Sequence, residues 1–153
     1  MAYKIKKITI CSSASFYKQA WDIKDQLENR VFTVLMPHTA KIMNKTKNYN
    51  VSKYKTWFKD KKLFVRKAFL MRKHFSEIEK ADAILVVNLK KKGISGYIGG
   101  NVLMEMGLAF YLKKPIFIWN KLSRSNPLYE EILGTLPIVI YRNLKRIKTG
   151  KWN

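Results

Sequence analysis

Apolar positions along this chain alternate between two periods. β-Branched residues crowd the stretch from Lys4 to Cys11, with Ile5, Ile8, Thr9 and Ile10, and the run breaks at Ser12-Ser13-Ala14-Ser15. That pattern predicts a strand feeding a small-residue turn. Phe16, Ala20, Ile23 and Leu27 then recur at helical spacing, and Ser15 is a suitable cap, so residues 15–29 read as a helix. Val31 to Met36, closed by Pro37, reads as a second strand. The segment from His38 to Asn50 is polar with no strong period, which predicts a loop or lid.

A longer helical pattern follows from Val51 to Lys80, with a break expected near Asp60. Tyr54, Trp57, Phe58, Leu63, Phe64, Ala68, Met71 and Phe75 fall largely on one face and are most simply core. Ala83 to Val87 is a continuous apolar run, as a central strand covered on both faces requires. A loop from Leu89 to Gly100 leads to an apolar helix that stops before Lys113-Lys114-Pro115. Ile116 to Trp119 reads as a fourth strand, Pro127 to Leu133 as a short helix, and Ile138 to Tyr141 as a fifth strand. Strands alternating with helices predict an α/β fold, a five-stranded doubly wound parallel sheet in a Rossmann-like three-layer sandwich. Its ligand site should lie beyond the carboxyl ends of the strands.

Composition narrows this picture. At 153 residues with 47% hydrophobic content, the chain fits one domain over residues 1–153. No apolar run is long enough to span a bilayer, and the first residues do not resemble a signal peptide, so a cytoplasmic protein with no membrane partner is expected. Cys11 stands alone, which excludes an internal disulfide and a cysteine-based zinc cluster. With only His38 and His74 beside it, neither a metal nor another cofactor is expected. The net charge of +21 would attract nucleic acid, nucleotides or acidic lipid. Lysine far outnumbers arginine, however, and no nucleic-acid recognition motif accompanies the charge, so compositional drift accounts for it at least as well.

The sharpest chemical signal is Glu105. From Val102 to Leu112 every other residue is apolar, aromatic or glycine, and an unpaired carboxylate in such surroundings is costly unless it has work to do. Several candidate ligand groups should meet it at the carboxyl edge of the sheet. Ser12 and Ser13 suit a phosphate or sugar hydroxyl, or are plain turn serines. Gly99 and Gly100 permit close backbone approach at a helix start, without the spacing of a P-loop or a dinucleotide fingerprint. Asn101 precedes Glu105 by one helical turn, so it either orients the carboxylate and a substrate hydroxyl or caps the helix. Tyr97 either stacks on a base and donates its phenol or packs the loop. Asn88 ends the third strand, and His74 is held in reserve on the long helix.

Asp82 to Asn88, then Gly96-Tyr97-Ile98-Gly99-Gly100-Asn101, then Met104-Glu105-Met106-Gly107-Leu108-Ala109, closed by Lys114-Pro115-Ile116, resembles the nucleoside 2-deoxyribosyltransferase-like family, which is similar to the deoxynucleotide N-hydrolases. The turn from Cys11 to Phe16 resembles that family's N-terminal ligand loop, which brings in Phe16 beside the serines. The resemblance implies a flavodoxin-like sandwich, a nucleoside or nucleotide ligand, and a homo-oligomer whose neighbours complete the pocket. It also implies that Glu105 attacks the anomeric carbon of a deoxyribosyl group and displaces the base. Retaining glycosidic chemistry ordinarily uses a second carboxyl group, and here the chain departs from the family, because no acid occurs between Leu89 and Asn101. The expectation is therefore cleavage or transfer of an N-glycosidic bond, with proton transfer falling to Tyr97, His74, water or a neighbouring subunit. The alternatives are a non-catalytic nucleotide-binding or sensing module and, less favoured, a basic nucleic-acid-binding protein.

Overall fold

The structure is a computed structural model that describes residues 4–148. Five strands, β1 (Lys7–Ser12), β2 (Thr33–Leu35), β3 (Ala83–Val87), β4 (Ile116–Ile118) and β5 (Ile138–Val139), form one sheet in the order β2-β1-β3-β4-β5. Every neighbouring pair is parallel. This is the flavodoxin-like order, with the chain reversing its direction of winding between β1 and β3. Helices α1 (Tyr17–Glu28), α2 (His38–Thr46), α3 (Phe64–Lys80), α4 (Gly100–Tyr111) and α5 (Tyr129–Gly134) connect the strands.

The two-residue period of the strands sorts the core into two halves. Ile8 and Ile10 of β1, Leu85 of β3 and Phe117 of β4 face Ala20, Ile23 and Leu27 of α1. Cys11, Ile84, Val86 and Ile118 face the other way, against Ile78 of α3, Val102 and Met106 of α4, and Ile132 of α5. All five residues of β3 are buried, as its unbroken apolar run requires. Asp82 fastens the amino-terminal edge by accepting hydrogen bonds from the backbone N–H groups of Lys6 and Lys7, both at 2.8 Å.

The structure corrects several expectations. The segment after Pro37 is helical where its polarity predicts a loop: Ala40 and Met43 are buried, and the Trp21 indole Nε1 donates to the Ala40 carbonyl at 3.1 Å, docking α2 on α1. The helical pattern breaks near Asp60, as its sequence suggests, where the Asp60 side chain caps a separate 3-10 turn at Lys61–Leu63 and α3 starts at Phe64; before the break only a 3-10 turn forms, at Val51–Lys53. The aromatic stripe is core only in part, with Phe75 packed against the half of the core under α3 and α4. Trp57 is buried, whereas Phe58, Phe64 and Phe69 are exposed, together with Phe110 and Tyr111 on neighbouring α4. β5 is also shorter than its pattern predicts, since Tyr141 and Arg142 turn into the left-handed region. The basic tail contributes a 3-10 turn at Leu144–Arg146 that seats Leu144 on the α1 side of the core, and its last residues lie outside the described range. No helix among the described residues is long and apolar enough to cross a membrane.

Candidate active site

The turn after β1, the start of α2, the middle of α3 and the loop into α4 enclose a cavity of about 230 Å³ at the carboxyl edge of the sheet. Ser12, Ser13, Tyr97, Gly99, Gly100, Asn101 and Glu105 all line it. Gly99 leaves the space that the Tyr97 ring occupies, since a side chain there would press against the phenol. No side chain caps α4. Lys91, from the loop after β3, donates to the Ser13 hydroxyl at 2.8 Å and ties that loop to the β1 turn.

Glu105 is 5% exposed and sits in the second turn of α4, on the face toward α3 and β1. Its Oε1 accepts a 3.0 Å hydrogen bond from Asn101 Nδ2, the contact their four-residue spacing allows. Its Oε2 lies 3.4 Å from His74 Nε2, and this oxygen is buried with no hydrogen-bond partner. The same His74 nitrogen is 3.4 Å from Cys11 Sγ, while His74 Nδ1 is 3.2 Å from Glu77 Oε2. His74 therefore lies between two carboxylates. The side chain arrives there because His74 and Ile78, one turn apart, are the buried positions of α3.

The electrostatics follow from this packing. Burial works against a charged His74, but the Glu105 carboxylate, with Cys11 adding to it, outweighs that penalty and holds the imidazole well above its ordinary pKa. Burial pushes the Cys11 thiol up from 9.0 to about 12, with the Glu105 charge acting in the same direction. Burial and then Glu105 also raise the Tyr17 phenol. The centre is thus an ionised pair, His74 with Glu105, flanked by a thiol and a phenol that keep their protons. Cys11, His74 and Glu105 offer three donor atoms within 4.8 Å of one another, a set able to hold a metal ion. Without an ion the set already balances its charge through the imidazolium.

One consequence is measurable. A rise of about three pKa units leaves roughly a thousandfold less thiolate, and the thiol is fully buried besides. Iodoacetamide at pH 8 is expected to label Cys11 in the native chain at least about a hundredfold more slowly than in denaturant. Equal rates would show that the thiol is neither buried nor suppressed.

Phe16 and Asn88 lie off the cavity wall. Phe16 is buried at the end of the β1 turn. The Asn88 amide holds the strand ends together, donating to the carbonyls of Gly96 at 3.2 Å and Asn120 at 2.9 Å and accepting from the Asn120 N–H at 2.8 Å. It shapes the site from beneath, along with Gly96, whose φ of +64° and proximity to the Lys121 carbonyl exclude a side chain. Cys11 and Tyr17 join the site without having been expected there. The sequence signal for Cys11 is its parity along β1, opposite to Ile8 and Ile10. Tyr17 stands at the first position of α1, just behind the serine turn.

No family model matches the chain, and no curated protein matches it. Among solved structures, the fold is similar to that of a 2-deoxyribosyltransferase from the psychrotolerant bacterium Bacillus psychrosaccharolyticus. The similarity covers 96% of this chain and 99% of that one, with 15% sequence identity and a TM-score of 0.57.

Proposed function

We propose that this protein cleaves or transfers the N-glycosidic bond of a nucleoside or nucleotide, with Glu105 as nucleophile. The carrying observation is the Glu105 carboxylate itself, buried on a cavity wall with Oε1 held by Asn101 and Oε2 beside His74 Nε2. The likeness of fold to a 2-deoxyribosyltransferase supports the same reading.

In the first step a Glu105 carboxylate oxygen forms a bond to the anomeric carbon while the bond from that carbon to the base nitrogen breaks, its electron pair leaving with the base. Esterification removes one of the two negative charges beside His74. The imidazolium becomes a stronger acid at the moment when the departing base needs a proton, and His74 supplies it directly or through one water. Tyr97, also on the wall, offers a second hydroxyl toward the base. In the return step an incoming base or water gives its proton to the neutral imidazole, attacks the anomeric carbon and releases the carboxylate. A single carboxylate then suffices, because the role of the absent second acid falls to a histidine whose pKa depends on the first.

Incubation with deoxynucleosides and their monophosphates, read as base release and as a glycosyl mass adduct on the peptide containing Glu105, tests this function. No base release from any member of the panel would overturn it. Asn101→Ala removes one neutral-to-charged hydrogen bond and is expected to lower kcat about 10- to 100-fold with a smaller change in KM. A change confined to KM would make Asn101 a substrate-binding group instead.

A further inference from the structure

Cys11 takes no part in the glycosyl transfer proposed above, yet its thiol is packed against the two groups that carry it. Cys11 Sγ lies 3.4 Å from His74 Nε2, and the same nitrogen lies 3.4 Å from Glu105 Oε2. All three donor atoms fall within 4.8 Å of one another. In a tetrahedral zinc site, with bonds of about 2.3 Å to sulfur and about 2.0–2.2 Å to nitrogen and oxygen, neighbouring ligand atoms stand roughly 3.3–3.6 Å apart. Both measured contacts have that length. The Glu105 contact is, by comparison, long for a charge-assisted hydrogen bond, which runs about 2.7–2.9 Å.

The surroundings have the form that metal ligands need. Glu77 Oε2 lies 3.2 Å from His74 Nδ1, so a proton on Nδ1 is held there and Nε2 is left to coordinate; a carboxylate in this place is what orients imidazoles in metal sites. Asn101 Nδ2 donates to Glu105 Oε1 at 3.0 Å, and the other oxygen, Oε2, faces the histidine. Cys11, His74 and Glu105 are all buried, which limits competition from water. His74 and Glu105 also line the cavity, which gives an ion its way in and a fourth ligand its place. Charge closes as well. A thiolate and a carboxylate with a neutral imidazole carry two negative charges, matching a divalent cation where a net charge would be costly. One sulfur, one nitrogen and one oxygen are ligands of zinc, whereas magnesium and calcium select oxygen alone.

We propose that Cys11, His74 and Glu105 form a zinc site, and that an ion bound there silences Glu105. On binding, Zn²⁺ forms bonds to Sγ, Nε2 and Oε2, while the thiol proton and the proton on Nε2 leave to solvent. The carboxylate then gives its electron density to the metal, and His74 has no proton for a departing base. Zinc binding and glycosyl transfer are thus alternative states of one set of side chains. The silencing half of this statement rests on the glycosyl-transfer reading above; the zinc half rests on the donor set and its partners.

Titration of the chelator-treated full chain with Co²⁺, a spectroscopic stand-in for Zn²⁺, tests the site. Stoichiometric cobalt is expected to bring up a thiolate-to-cobalt charge-transfer band in the near ultraviolet and the intense visible bands of tetrahedral cobalt, and Zn²⁺ should bleach both. Cys11→Ser should abolish the near-ultraviolet band. Glu77→Gln, which keeps all three ligands and alters only the partner of Nδ1, should weaken zinc binding about 10- to 100-fold, and it decides the matter if Cys11→Ser does not fold. A weak octahedral cobalt spectrum without charge transfer, or zinc affinity unchanged in the folded variants, would overturn the site. Wild-type base release measured with and without Zn²⁺ separates the two halves. Loss of base release at stoichiometric zinc, restored by chelator, sustains the silencing; undiminished base release beside a tetrahedral cobalt spectrum keeps the site and overturns the silencing. No base release even in metal-free protein overturns glycosyl transfer and the silencing with it, while the cobalt spectrum still decides the site.

Discussion

Glu105→Gln is expected to lower the rate of base release by at least about 10⁴-fold, the scale seen when a covalent nucleophile is removed. Glutamine keeps the length and nearly the shape of the side chain, so Asn101 retains an acceptor and the cavity keeps its form. What disappears is the carboxylate electron pair that bonds to the anomeric carbon. Glu105→Asp retains the charge but withdraws it by one methylene, and a misplacement of that order costs about 100-fold. Glutamine below aspartate, and aspartate below wild type, is the order that identifies a nucleophile. If Gln and Asp lose activity equally and only modestly, Glu105 positions substrate and another group does the chemistry.

The second large effect concerns His74 and stability. His74→Ala leaves the buried Glu105 and the mostly buried Glu77 without their shared cation and opens a void, and breaking a buried ion pair from one side costs about 3–5 kcal/mol. For a chain of this length each kcal/mol corresponds to a fall of about 2–4 °C in Tm. The pH dependence carries its own signature. Because the folded pKa of His74 is raised above the ordinary 6.5, its contribution is fully present below pH 6.5 and is lost as pH rises through the folded value. Unfolding free energy of the wild type should therefore decline with rising pH above 6.5, and His74→Gln should remove the decline. The window closes near pH 9, where the unfolded Cys11 thiol begins to ionise and adds its own loss. His38 acts on the other side: burial, with Lys73 and Arg66 next, lowers its pKa, so its effect is confined to pH below 6.5. Identical pH slopes for wild type and His74→Gln would mean that the imidazole does not carry the charge assigned to it.

Much of this architecture is legible in the residue pattern alone. β3 is a run of five apolar residues between Asp82 and Asn88, and such a run has few placements other than a central strand. Glu105 stands out by contrast with its neighbours, and Asn101 by spacing. What the pattern hides is whatever depends on docking between distant segments. α2 buries only Ala40 and Met43, too few positions to establish a period over nine residues. The aromatic residues between Tyr54 and Phe75 have helical spacing, yet Asp60 ends the register, and most of their rings end up outside the core. His74 lies thirty-one positions from Glu105, and no local pattern marks the two as a pair. Their meeting follows from α3 and α4 lying side by side on one face of the sheet, which is a property of the winding order.

Lys114 differs from most of the chain's cations. Its Nζ donates to the carbonyls of Ile78, Glu79 and Ala81, closing the carboxyl end of the helix whose preceding turn carries His74. Its pKa is lowered, chiefly by burial, and the three carbonyls hold its N–H groups in place. Amine-directed chemistry on this protein, such as dye labelling, glutaraldehyde fixation or reductive methylation, is thus not a uniform coat applied to a lysine-rich exterior. Acylation at this one position strips a charge and two donors from the carboxyl end of the helix that carries His74.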